Sequence, residues 1–163
     1  IKNEAANRGT AMHAFLEDYL IGKDRVDLTP VGQEARIMGQ RIVDRGLADL
    51  EEIWGSEVTL YYPGLYAGAT DLAGIYDGQE SIKQSNKPKR KEWIGDYFTQ
   101  LAAYAMAHNY VYNTKITQGV ILMCTKDNFF QKFVIDGPEF VKFQHDFLRK
   151  IDQYYLAQKS IVA

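Results

Sequence analysis

Thr117-Gln118-Gly119-Val120-Ile121-Leu122-Met123-Cys124-Thr125 is a near-continuous apolar run, the pattern of a strand buried on both faces. A strand without a solvent face needs apolar cover above and below, so helices are expected on both sides of its sheet. Downstream, Lys126-Asp127-Asn128 reads as a turn into Phe129 to Ile135, which makes a hairpin. Asp136-Gly137-Pro138-Glu139 then resembles a capping box opening a long helix to about Gln158. Upstream, Tyr97, Leu101, Tyr104, Ala105 and His108 recur at helical spacing and predict a helix over 93–109. Before it lies a polar, proline-containing loop from Gln84 to Lys91, and only Ser81-Ile82-Lys83 reads as extended ahead of that loop. Two antiparallel strands, Glu57 to Tyr62 and Leu65 to Tyr76, are separated by Pro63-Gly64 and closed by Asp77-Gly78. Thr29-Pro30 starts a helix expected to reach about Trp54 with a break near Gly46, and a first helix runs from Asn3 to about Leu20, stopped by Gly22. The order is α, α, β, β, a truncated β, α, β, β, α, which suits an α/β sandwich around a central mixed β-sheet.

The 163 residues, 46% hydrophobic and 25% charged, predict one soluble domain over 1–163. The chain opens on Ile1 with a helical pattern almost at once, so the natural protein is expected to continue upstream. No apolar run approaches the ~20 residues that span a bilayer, which excludes a membrane helix. One cysteine, Cys124, excludes an internal disulfide and an iron-sulfur cluster, and the three scattered histidines offer no structural zinc spacing. With a net charge of -2, attraction for phosphate has to be local. Lys87, Lys89, Arg90 and Lys91 supply such a place, a solvated loop being the alternative reading.

Asp71, inside Gly68-Ala69-Thr70-Asp71-Leu72-Ala73-Gly74, falls in a strand interior. There an acid costs several kcal/mol to bury unless it is paired or binds a cation. A hairpin-edge Asp facing solvent reads equally well. Glu80 and Lys83 follow; two acids and a lysine meeting from neighbouring strands would form a magnesium site with a cation to orient the attacking water. Gln100 and Tyr104, at i and i+4, share a helical face that could reach DNA or sit at a core edge. His13 and Glu17 have the same spacing, and read as a surface ion pair or as part of a metal site.

In order, these signals resemble the RecB-like exonuclease branch of the PD-(D/E)XK nuclease superfamily. Arg8-Gly9-Thr10-Ala11-Met12-His13 with Glu17 looks like its first motif, and Gly68-Ala69-Thr70-Asp71 like its G-x-x-D strand. Lys83-Gln84-Ser85-Asn86-Lys87-Pro88-Lys89 is similar to the lysine end of the third motif, and Gln100-Leu101-Ala102-Ala103-Tyr104 to the Q-x-x-x-Y helix. The likeness runs from Ala5 to Tyr155, and from Tyr66 to Lys126 it is similar to mitochondrial genome maintenance exonucleases and their phage relatives. It implies a restriction-endonuclease-like sandwich and a DNA exonuclease using one or two Mg2+ or Mn2+ ions. Single-stranded DNA or DNA ends would be the partner, in replication, recombination or repair. It also implies a soluble intracellular protein, in the cytoplasm or, if phage-encoded, the host cytoplasm. Carried over, His13 and Asp71 would bind metal, Glu80 would stand in as the second acidic ligand, and Glu57 is a weaker candidate for the outer metal shell. Lys83 would position or polarise the water, while Gln100 and Tyr104 would support the site and the DNA end. Lys87, Lys89, Arg90 and Lys91 would touch the backbone of DNA and steepen the salt dependence of binding.

One departure stands out. The family sets its second acid two residues before the lysine, on one strand face, whereas Glu80 precedes Lys83 by three. Only a bulge would let both reach one metal. About three residues, an apolar-acid-aromatic triplet, are therefore expected to be missing between Ile82 and Lys83. If the shortening is genuine, Glu80 serves from a distorted strand, or the protein is a catalytically impaired, DNA-binding relative.

Overall fold

The computed structural model describes residues 2–76, 79–86, 94–125 and 127–162, with 79–86 described as backbone. Two helices, α1 (Lys2–Leu20) and α2 (Pro30–Gly46), lead into β1 (Leu50–Tyr62), β2 (Tyr66–Tyr76) and β3 (Gln79–Asn86). Helix α3 (Gly95–Tyr112) crosses to β4 (Gln118–Cys124), and β5 (Phe130–Ile135) runs into α4 (Gly137–Val162). The sheet order is β1-β2-β3-β4-β5, antiparallel except for the parallel pair β3 and β4 that α3 connects. The expected mixed sheet between helical layers is the observed architecture.

β4 accounts for that architecture. Every residue of the strand is buried, and its side chains alternate between two apolar layers. Ile121 and Met123 join Ala73, Ile94, Phe98, Leu101 and Phe140 on the α3 and α4 side. Val120, Leu122 and Cys124 join Met12, Leu16, Met38, Ile42 and Val43 on the α1 and α2 side. Cys124 is thus a core thiol, and burial pushes its pKa up.

Local chemistry sets the ends of α2. The Gly32 N–H donates to Thr29 Oγ1 at 3.0 Å, and Pro30 fills the first helical position, where a missing N–H is harmless. Replacing Thr29 with Ala is expected to lower stability by about 1 kcal/mol, read from the urea midpoint. The helix stops at Gly46, eight residues short of the expected Trp54. At Gly46 the helix lies against β4, so near that an added Cβ would stand 2.7 Å from Leu122 Cδ1. The Leu47 N–H closes the last turn on the Ile42 and Val43 carbonyls. From Leu50 the chain gains more by pairing with β2, and β1 is accordingly longer than the expected Glu57 to Tyr62.

Strand β3 corrects a second expectation. It extends through Gln84, Ser85 and Asn86, placed above in a loop, because β4 offers parallel partners as far as Met123. Its register on β2 runs unbroken from Leu72↔Lys83 to Tyr76↔Gln79, without the bulge that would put positions 80 and 83 on one face. Residues 87–93, with the Lys87, Lys89, Arg90 and Lys91 cluster, lie outside the described residues, as do the side chains of Glu80 and Lys83. No helix among the described residues is long and apolar enough to cross a membrane.

Candidate metal centre

The β1–β2 hairpin and α1 bring three remote residues together. Tyr62 pairs with Tyr66 across the turn at 63–65, and counting back from that pair sets Glu57 opposite Asp71, between Ser56↔Leu72 and Val58↔Thr70. Over this point lies α1, tied to α2 by an Arg8 Nε to Glu34 Oε2 ion pair at 3.0 Å. It presents His13 and Glu17 one turn apart on the same face. One ligand atom each of His13, Glu57 and Asp71 lies within 4.8 Å of the others. His13 Nδ1 is 3.6 Å from Asp71 Oδ1, and both side chains are about one-third exposed, at 36% and 29%.

Beneath the three polar groups is a small, mostly apolar cavity of about 40 Å³, floored by Leu16, Ile42, Leu72 and Leu122. That is room for more than one water. Its apolar walls raise the Glu57 pKa chiefly by desolvation; the Asp71 and Glu17 carboxylates push in the same direction, and His13 only partly offsets them. Two carboxylates and an imidazole facing one another at a half-open cleft suit a hard or borderline divalent ion such as Mg2+ or Mn2+. Three protein donors would leave such an ion positions for water.

The raised pKa fixes the sign of a pH effect. Between the unfolded and the folded pKa of Glu57 the native protein holds more protons than the unfolded chain, so this group's contribution falls as pH rises. The stability advantage of Glu57→Gln over the metal-free wild type is therefore expected to widen from pH 4 to pH 8. Mn2+, which competes with that proton, should stabilise the wild type increasingly over the same range. Melting curves of both proteins, with and without Mn2+, check this.

Of the residues singled out from sequence, His13 and Asp71 converge, and Asp71 is a half-buried strand residue rather than a solvent-facing edge acid. Glu57 joins them directly, where an outer position was expected. Hairpin register, counted from Pro63-Gly64, was the signal that could have found it. Gln100 and Tyr104 stand elsewhere. Gln100 Nε2 donates to Tyr104 Oη at 2.8 Å, and the pair lines a separate groove with Tyr66, Asp96 and Lys150. Position 83 is registered opposite Leu72, which floors the cavity, and position 80 opposite Ile75.

No protein-family model matches the sequence, and no curated protein sequence matches it. Among solved structures, the fold is similar to that of a candidate exonuclease from Eubacterium rectale, with a TM-score of 0.62 at 13% identity. The match covers 92% of this chain and 64% of that one, so the chain spans less than two thirds of its neighbour's length. The likeness is one of fold: a mixed sheet with helices on both faces.

Proposed function

We propose that the protein is a metal-dependent DNA nuclease of the RecB-like kind, an exonuclease that hydrolyses phosphodiester bonds of single-stranded DNA or of DNA ends. Its place would be in DNA replication, recombination or repair. The observation that carries the reading is the convergence of His13, Glu57 and Asp71, from α1, β1 and β2, on one cleft. The likeness in fold to a candidate exonuclease adds support.

His13, Glu57 and Asp71 hold one or two Mg2+ or Mn2+ ions at the mouth of the cavity. Such an ion, when bound, polarises the phosphate and makes a nucleophile of water near neutral pH. The protein supplies the rest. The apolar floor limits the water able to enter, and Asp71 and Glu57, as ligands, would fix where the ion sits over β1 and β2. Lys83, at the register position facing Leu72, orients the attacking water. Lys87, Lys89, Arg90 and Lys91 hold the DNA backbone, and Gln100 and Tyr104 support the strand end.

Incubation of end-labelled single-stranded DNA with the protein and Mn2+ tests the reading. Progressive shortening that stops with chelator is expected; full-length DNA with no sign of binding would sink it. A second reading, a DNA-binding relative that does not cleave, is favoured by one observation: positions 80 and 83 fall on opposite strand faces with no bulge between them. Intact DNA beside clear, salt-sensitive binding would select it.

A further inference from the structure

Glu57 has a backbone φ of 52° in the interior of a thirteen-residue strand. That is left-handed space, which an L residue with a long side chain enters only at a cost. Among the described residues, the other non-glycine positions with positive φ are Asn113, which ends α3, and Asn128 in the β4–β5 turn, both of a residue type that tolerates this region. Glu57 has neither excuse. Its neighbours Ser56 and Val58 keep their partners on β2, so the distortion is confined to the residue that faces Asp71.

Glu80 cannot serve the same place. Its register partner Ile75 lies four residues along β2 from Asp71, or about 13 Å at ~3.3 Å per residue. That separation exceeds what two carboxylates sharing one ion can span. We propose that Glu57 is the acid that completes the metal's ligand set in this protein, in place of an acid from β3, and that its left-handed backbone is retained because it aims the carboxylate into the cleft with His13 and Asp71. The inference rests on the metal site proposed above. It adds which strand supplies the second acid and why a strained residue persists there.

Three variants and two readouts test it. Mn2+ affinity is measured by calorimetry, and melting temperature is measured in chelator. Glu57→Gln keeps the side-chain volume and is expected to lower Mn2+ affinity by at least about tenfold, while Glu80→Gln leaves it at the wild-type value. Glu57→Gly also removes the backbone strain, and without metal it is expected to melt roughly 2–4 °C above Glu57→Gln. A Glu57→Gln protein with wild-type Mn2+ affinity, or a Glu80→Gln protein that has lost it, overturns the assignment. Glu57→Gly melting no higher than Glu57→Gln overturns the account of the strain. A wild-type protein that binds no Mn2+ overturns the metal site itself, and with it this inference.

Discussion

Replacing Asp71 with Asn is expected to leave a folded protein whose DNA cleavage is slower by on the order of 10²–10⁴-fold, since metal-assisted charge stabilisation is worth several kcal/mol. Asn has the shape of Asp and lacks its charge. Asp71 is half-buried, on a strand whose neighbours Thr70 and Leu72 are fully packed, so the substitution leaves no cavity. It also removes one of two carboxylates that crowd each other across the hairpin, since Asp71 is among the causes that raise the Glu57 pKa. Without metal, Asp71→Asn should therefore melt at or above the wild-type temperature, while the rise on adding Mn2+ disappears. Single-turnover cleavage of labelled single-stranded DNA and a melting curve in chelator measure the two effects separately. Wild-type turnover in this variant would move the reactive centre away from the α1–β1–β2 cleft.

Much of the fold could be read from local chemistry. The apolar run of β4 required cover on two faces, and the two side-chain layers on either side of Val120 and Ile121 are that cover. Thr29-Pro30 and Gly22 marked helix ends because capping and left-handed turns depend on a few bonds close in sequence. Residues 50–54 and 84–86, whose local pattern suits a helix and a loop, are strand for the opposite reason. Their strand character comes from partners on β2 and β4 that are distant in the chain, and tertiary pairing overrides local preference. The site divided along the same line. His13 and Asp71 could be picked out from motif order, whereas the position of Glu57 beside them depends on hairpin register and on a φ that nothing about a glutamate suggests. Local preference and structure disagree most sharply at that residue, and such conflicts tend to mark function.

The register that makes the site depends on Gly74. Carried on unshifted from Leu50↔Tyr76, the β1–β2 pairing would set Glu57 opposite Ala69; two one-residue shifts, between Leu50 and Glu52 and between Ile53 and Gly55, move it to Asp71. Gly74 pairs with Ile53 between those shifts. There β1 approaches so closely that a Cβ on residue 74 would stand 2.0 Å from the Glu52 carbonyl oxygen and 3.3 Å from Ile53 Cα. Both are backbone atoms, with no rotamer to turn aside, so Gly74→Ala has to push the two strands apart. Overpacking of this kind is expected to cost about 3 kcal/mol, a fall of roughly 6–12 °C in melting temperature for a chain of this size. Separation at the bulge also shifts Glu57 against Asp71, so the remaining folded protein should lose most of its stabilisation by Mn2+. Gly95→Ala, at the first turn of α3 where an added Cβ meets nothing within 4 Å, is the control and should hold or raise the melting temperature. If Gly74→Ala melts like the wild type and still binds Mn2+ as tightly, the bulges do not set the register, and the placement of Glu57 opposite Asp71 needs another cause.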